Sequence, residues 1–337
     1  MKNIKTIISI ILLAFLGISS VFAQTETYTV TKNTDPDPYT HKYHFTDSLC
    51  DPAMYGTLQW AIRKANDDQV PSRIEFNIAG GGTQTIVLNY ELPTIRFGKL
   101  TIDGTSQPGY SNEPLIVIDG QNEIMRGLYI YDRDQYIIKG LHLKNFFTRG
   151  ILCQYAYTIT IEDNIISSIT NPKQDLDGIG IRIIGNPKIN YSDAIIRNNY
   201  IGTNANLDTN LGCKNYGILI SRDANKNYIY NNTIAYNNET GVYIVSANQN
   251  KISQNRIFGQ TKAIDLIENA NDNKQAPDSL QFDTTNVFFC FSEPGDTIEI
   301  FSGNFEQSAE YYLNTAIADS NGFWSIQVYS PDSMLLV

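Results

Sequence analysis

From residue 127 onward, apolar residues alternate with polar ones in runs of three to five positions, a period and length that suit strands and not helices. The runs recur. A small residue followed by apolar-x-apolar marks Gly127 in GLYIY, Gly150 in GILCQ, Gly178 in GIGIR, Gly217 in GILIS, Gly241 in GVYIV and Ala263 in AIDLI. The steps are 23, 28, 39, 24 and 22 residues, and the longest carries the insert NNYIGTNANLDTNLGCKN. A second mark lies inside each unit: Asn164 in ITIEDNII, Asn199 in AIIRNNYIG, Asn232 in YIYNNTIA and Asn255 in KISQNRIFG. In the compact units the Asn follows the Gly by 14 or 15 residues. Each unit therefore reads strand, turn, strand, Asn turn, strand.

A period near 23 with three short strands leaves few architectures. The leucine lattice of a leucine-rich repeat is absent, and a propeller blade needs a longer period. The pattern predicts an all-β chain folded as a right-handed parallel β-helix, each repeat forming one coil, with coils stacked about 4.8 Å apart. Alternating Ile side chains point inward and stack on those above and below. The turn Asn also points inward, where its amide bonds the backbone and the equivalent Asn of the next coil. Asn164, Asn199, Asn232 and Asn255 are thus expected to form a structural ladder.

A solenoid must be closed at its ends. Upstream, ETYTVT alternates like a strand, and GTLQWAIRKAND reads as a short amphipathic helix. Thr57 would cap it, and Leu58, Ala61, Ile62 and Ala65 make one apolar face, a natural lid for the first coil. Residues 24–97 form this cap and the first irregular coils, and residues 98–282 the β-helix proper. Beyond residue 283 the pattern changes to alternating strands with turn signals at Pro294-Gly295 and Asn321-Gly322. Residues 283–337 read as the start of an immunoglobulin-like sandwich, which when complete takes about 100 residues. The segment stops in SMLLV, as an interrupted module would, and a C-terminal sorting or anchoring region would be missing with it.

The first 23 residues stand outside the fold. Lys2 and Lys5, an apolar run from Ile7 to Leu16, and Val21-Phe22-Ala23 have the order of a secretory signal peptide. The run is short for a membrane span, which takes about 20 residues. A secreted or cell-surface location follows, with no membrane span after cleavage. The net charge of −10 argues against nucleic acid and anionic membranes as partners. Charged residues make up only 18% and hydrophobic ones 42%, the balance of a packed chain with a low-charge surface. The four cysteines, Cys50, Cys153, Cys213 and Cys290, are widely spaced and form neither a disulfide framework nor a zinc pattern. Cys153 falls on an inward position and is expected as a buried thiol. A Cys50–Cys213 bond has no support in the spacing.

The phrases GTLQWAIRKAND, IEFNI, LPTI, LTIDGTSQPGY, LIVIDG, IIKGLHLKNF and NNYIGTN, in that order, resemble the N-terminal cap and coils of secreted bacterial right-handed β-helix repeat proteins of the pectin-lyase-like fold. The resemblance covers roughly residues 50 to 260, with TIDGTSQPGY and NNYIGTN its most specific parts. A mature chain beginning at Gln24 is also similar to exported proteins of Bacteroidetes-type bacteria. The resemblance implies the fold strongly and activity weakly, since the fold hosts lyases, hydrolases and adhesins.

Chemistry is sparse. With the residues at +1 and +3 from each anchor pointing in, the outward positions read Tyr129 and Tyr131, Leu152 and Gln154, Gly180 and Arg182, Leu219 and Ser221, Tyr243 and Val245, and Asp265 and Ile267. This face is poor in acids. Glycoside hydrolysis wants two carboxylates about 5 to 9.5 Å apart, and lyase chemistry a base plus a cation such as calcium. Asp175 and Asp177, in one loop beside Arg182, are the best catalytic candidates; a solvated turn supporting Gly178 is the plainer reading. They would need a cleft walled by the insert at 202–216. The polygalacturonase-type arrangement of a paired Asp-Asp and a Gly-His-Gly on successive strands does not occur here. His142 would point outward as a lone exposed histidine, and His41 and His44 sit before the cap. Calcium near Asp272 or Asp35 lacks the ligand spacing of a known loop, so no metal or cofactor is expected. Tyr129, Tyr131 and Tyr243 could instead stack on sugar rings, with Gln154 and Arg182 as hydrogen-bonding neighbours. The expected function is a non-catalytic adhesion or glycan-binding module for a polysaccharide or cell-surface glycan. The alternative is a polysaccharide lyase or glycoside hydrolase.

Overall fold

The computed structural model describes residues 25–170, 178–274, 277–282, 287–303, 308–327 and 335–336. Among the described residues, twenty-one short strands wind into three parallel sheets; Glu26–Val30 and Ser72–Phe76 pair in one sheet, and from there on consecutive strands of the chain lie in different sheets and pair with strands of the neighbouring coils. The first sheet holds Glu26–Val30, Ser72–Phe76, Leu100–Asp103, Asp134–Lys139, Tyr157–Glu162, Ile195–Arg197, Tyr228–Tyr230 and Lys251–Ser253. The second holds Gln84–Val87, Ile116–Asp119, Leu141–Lys144, Ile165–Ser167, Tyr200–Ile201, Thr233–Ala235 and Arg256–Phe258. The third holds Arg126–Tyr131, Arg149–Gln154, Ile179–Ile184, Tyr216–Ser221, Thr240–Val245 and Lys262–Ile267. This is the expected right-handed parallel β-helix.

The core is a set of inward columns. Ile74, Ile102, Ile138, Ile161, Ile196 and Ile229 stack in register through the first sheet. Ile86, Ile118, Leu143, Ile166, Ile201 and Ile234 do so through the second. Every one of these side chains is buried. Each is worth about 1.5–3 kcal/mol when removed from water, and β-branched shapes fit stacked strands. Cys153 sits in a column of the third sheet between Ile130 and Ile183 as a buried free thiol, and burial raises its pKa. Cys50 and Cys213 are also separate free thiols.

The helix α1 (Leu58–Asp68) lies over the strands at Glu26–Val30 and Ser72–Phe76 and buries Leu58, Trp60, Ala61, Ile62 and Ala65. Thr57 caps it by accepting from Trp60 N at 3.2 Å. The TIDGTSQPGY phrase is a joint between coils. Gln107 bonds both the N and the O of Ile78, at 2.9 and 2.8 Å, and Phe76 N donates to Ser106 Oγ at 2.7 Å. After the last coil come two three-stranded antiparallel sheets with their own core around Phe288, Ile300, Trp324 and Ile326. They meet the coil edge through Ile257 and Ala309, which exchange backbone bonds of 2.7 Å.

Candidate functional site

The outward surface of the third sheet carries the residues singled out from the sequence, with one correction. In register, Tyr129 is followed by Leu152, Arg182, Leu219, Tyr243 and Asp265 on successive strands. Tyr131 is followed by Gln154, Ile184, Ser221, Val245 and Ile267. The third anchor is therefore Gly180, not Gly178, and Arg182 stands in the Tyr129 row. A Cβ on Gly127, Gly150, Gly180, Gly217 or Gly241 would lie 2.4 to 2.8 Å from the carbonyl oxygen of the next anchor. That close approach is what the anchor glycine allows. A Cβ on Gly178 would instead meet Ile169 O, at the preceding corner.

The first two coils of this surface bring together Tyr129, Tyr131 and Gln154. Tyr129 donates from its hydroxyl to Gln154 Oε1 at 2.9 Å. The Tyr129 and Tyr131 rings meet edge-to-face with centroids 6.0 Å apart, and Tyr131 meets Tyr155 at 5.8 Å. The Arg126 guanidinium lies 4.7 Å from the Tyr129 ring centre and pairs with Glu91 at 2.7 Å. Burial raises the Tyr129 phenol above its ordinary value, which keeps it a neutral donor. Leu152 and Leu219, in the same row, are buried under their neighbours.

The other predicted residues are not part of this group. Arg182 is two coils from Tyr129, about 10 Å by stacking alone, and Tyr243 is four coils away, about 19 Å. Tyr243 instead stacks on Tyr216 at 4.7 Å. Asp175 and Asp177 lie outside the described residues. The insert at 202–216 occupies the corner between the second and third sheets, where Leu211 O accepts from Ser168 N and Asn237 Oδ1 accepts from Cys213 N.

The right-handed β-helix region family model matches residues 126–330, more than half of the chain. The chain belongs to the right-handed β-helix family. The match continues past the parallel coils into the antiparallel unit. Among solved structures this β-helix is similar to the tailspike protein of E. coli bacteriophage HK620 in complex with a pentasaccharide, at 10% identity and TM-score 0.18, over 79% of this chain and 68% of that one. It is similar to two single-substitution mutants of that tailspike in the same complex. One stands at 11% identity and TM-score 0.22 over 79% and 68% of the two chains. The other stands at 10% and 0.17 over 79% and 63%. No curated protein matches it. Among the described residues, no helix is long and apolar enough to cross a membrane.

His142 corrects another expectation. It does point away from the β-helix core, but it is half-buried, with Nε2 2.9 Å from Oγ of the fully buried Ser167. Burial and then the Lys144 charge push its pKa down to about 4 from 6.5. The unfolded chain therefore takes up a proton that the folded chain refuses as the pH falls from 6.5 to 4, and stability drops across that window. The ring keeps some contact with water, which puts the expected loss between pH 7 and pH 4.5 at about 2 kcal/mol. Urea denaturation at both pH values should show that loss in the native chain relative to His142→Gln.

Among the described residues, no three His, Cys, Asp or Glu side chains are grouped to hold an ion. Both Asp35 oxygens are committed to protein donors: Gln59 Nε2 at 2.5 Å, Asn89 N at 2.8 Å and Tyr90 N at 3.0 Å. His41 pairs with Asp51 at 3.3 Å.

The predicted Asn ladder forms, and a second one went unread. Asn164, Asn199, Asn232 and Asn255 bond in sequence through side-chain contacts of 2.9–3.0 Å. At the corner leading into the first sheet, Asn227 Nδ2 donates to Asn250 Oδ1 at 2.8 Å and Asn250 N to Asn271 Oδ1 at 2.9 Å. Asn225 and Asn248 run beside them, Asn248 N donating to Asn225 Oδ1 at 2.5 Å. Its signal was an Asn-x-Asn that repeats at Asn225, Asn248 and Asn269. The outward charges of the first sheet were also missed. Glu75, Asp103, Lys139, Glu162, Arg197 and Tyr230 follow one another in register, legible as the last outward position of SRIEF, LTID, DQYIIK, YTITIE, IIR and YIY.

Proposed function

We propose that this protein is an exported, non-catalytic β-helix module that binds a polysaccharide or cell-surface glycan on the outward surface of its third sheet. The single observation that supports this is the aromatic group at the start of that sheet. The Tyr131 ring meets those of Tyr129 and Tyr155 edge-to-face and is 36% exposed, and an amide and a guanidinium lie beside Tyr129. Tyrosine offers a rigid apolar face and a polar tip at little entropic cost. A sugar ring stacks on the Tyr131 face while its hydroxyls meet Gln154 and Arg126. Gln154 accepts from Tyr129, which leaves its –NH₂ as a donor. Arg182 and Tyr243 extend the same surface for a longer chain. The leader at residues 1–23 accounts for export, and the antiparallel unit serves as an immunoglobulin-like spacer.

The test is a polysaccharide array with the chain from Gln24 to Val337, with and without calcium, reading binding and product release from the same wells. Binding without release is expected. In Tyr131→Ala it should weaken about tenfold, a loss of about 1.4 kcal/mol. Release of reducing ends or unsaturated products, abolished in Asp177→Asn, would replace this reading with the lyase or hydrolase built on Asp175, Asp177 and Arg182.

A further inference from the structure

The first sheet presents a different surface. Its outward row runs Thr101, Ile137, Thr160, Ile195 and Tyr228 on five successive strands. Ile137 and Ile195 are 37% and 36% exposed, so the row is open to solvent. Toward its end Tyr228 stacks on Tyr230 with centroids 4.3 Å apart, and the row closes on Lys251, whose Nζ lies 5.0 Å from the Tyr228 ring centre. At its other end, where Arg73 precedes Thr101 in register, it deepens into a groove of about 430 Å³ bordered by Lys99, Gln135 and Thr158. Those last three share a left-handed backbone, with φ of +61°, +64° and +54°. That shared conformation turns the chain into a ridge along the groove.

On the other side of the row the next outward positions, Glu75, Asp103, Lys139, Glu162 and Arg197, make a wall that is charged but neutralised. Arg73 pairs with both Glu75 and Asp103, Lys139 lies 3.2 Å from Asp103, and Arg197 lies 2.7 Å from Glu162. Cations and anions alternate along the wall, so it offers fixed hydrogen-bonding groups and little net field for a charged ligand. The floor alternates hydroxyl and aliphatic side chains at the strand spacing, about 4.8 Å, close to the length of one extended sugar residue. Four such steps reach from Thr101 to Tyr228, about 19 Å.

We infer that this groove is a second binding site, distinct from the tyrosine group on the third sheet, and that it takes a neutral oligosaccharide lying along the solenoid axis. The aliphatic positions face the sugar C–H surfaces, the threonine hydroxyls meet the ring hydroxyls, and Tyr228, in contact with Tyr230 and Lys251, borders the terminal residue.

The experiment is calorimetric titration with cello-, xylo-, manno- and maltohexaose, and with an oligogalacturonate as the acidic control. It uses the full chain carrying Tyr131→Ala, so that the third-sheet group is already weakened. At least one neutral hexasaccharide should bind that protein. Adding Ile137→Arg, an exposed position where the long side chain fills the groove, should weaken it tenfold or more. Adding Tyr228→Ala at the far end should weaken it severalfold, which keeps the test open if one variant folds poorly. The site is overturned if no neutral hexasaccharide binds the Tyr131→Ala protein, if only the oligogalacturonate binds, or if Ile137→Arg and Tyr228→Ala both leave binding unchanged in folded protein. It is also overturned if light scattering shows a dimer that Ile137→Arg splits, since the row would then be a contact between two copies.

Discussion

Replacing Asn199 with Ala should cost about 4 kcal/mol of stability. The side chain is 1% exposed and connects three coils. Its Oδ1 accepts from Asn164 N and Nδ2, both at 3.0 Å. Its Nδ2 donates to Ile161 O and Asn232 Oδ1, both at 2.9 Å. Asn164 Nδ2 keeps Ile138 O, and Asn232 Oδ1 keeps the backbone N of residue 199. The truncation therefore orphans Asn164 N–H, a buried backbone group worth about 1–3 kcal/mol, and removes the side-chain bonds to Ile161 O, Arg197 O and Asn232 Oδ1 at about 0.5–1.5 kcal/mol each. A solenoid is held by contacts between adjacent coils, so the damage falls on the coupling of its two halves. Urea unfolding should show a lowered midpoint, with Asn206→Ala on the exposed insert staying within about 0.5 kcal/mol of the native chain. Equal stability of the two variants would mean that water replaces the ladder without loss.

Asp103→Ala should cost about 3 kcal/mol. Asp103 is 1% exposed, inside the TIDGTSQPGY joint. Its Oδ1 accepts from Thr105 N at 2.9 Å and Thr105 Oγ1 at 2.5 Å, and its other oxygen meets Arg73 and Lys139. Removing one partner of a fully buried pair costs about 3–5 kcal/mol. Here the side chains of Arg73 and Lys139 are 36% and 26% exposed and recover some hydration, which sets the value at the low end. Asp103→Asn keeps an acceptor for Thr105 and should recover about 1 kcal/mol of that loss. Thermal melts of the three proteins check the order native, Asn, Ala. If Asn is as damaging as Ala, the charge matters and the turn does not.

Much of the architecture was readable in one dimension. The repeat, the inward Ile positions and the Asn ladder depend on residue spacing and on the rule that buried polar groups must be paired, and both are visible in the chain. So were the helix at Leu58–Asp68 and its Thr57 cap, because an N-cap and an apolar face are local features. The tyrosine group was partly legible, since Tyr129, Tyr131 and Gln154 sit on strands one repeat apart. Arg126 and Tyr155 escaped because one opens its strand ahead of the anchor glycine and the other follows the end of its strand, and they join the group only when the corners fold.

Tertiary structure decided what the repeat left degenerate. GIGIR offers two glycines, and only the 2.6 Å approach of a Cβ on Gly180 to Gly217 O selects the anchor and moves Arg182 into the Tyr129 row. His142 alternates outward as the pattern requires, yet the ring is half-buried beside Ser167, and that burial and the Lys144 charge hold it neutral. The charges of the first sheet neutralise one another because residues 23 to 36 positions apart become neighbours one coil on. Side-chain direction along a strand is a local property of period two, so the sequence determined which positions face in. What each outward side chain meets depends on register between coils and on the loops at the corners, and those are settled only when the coils stack.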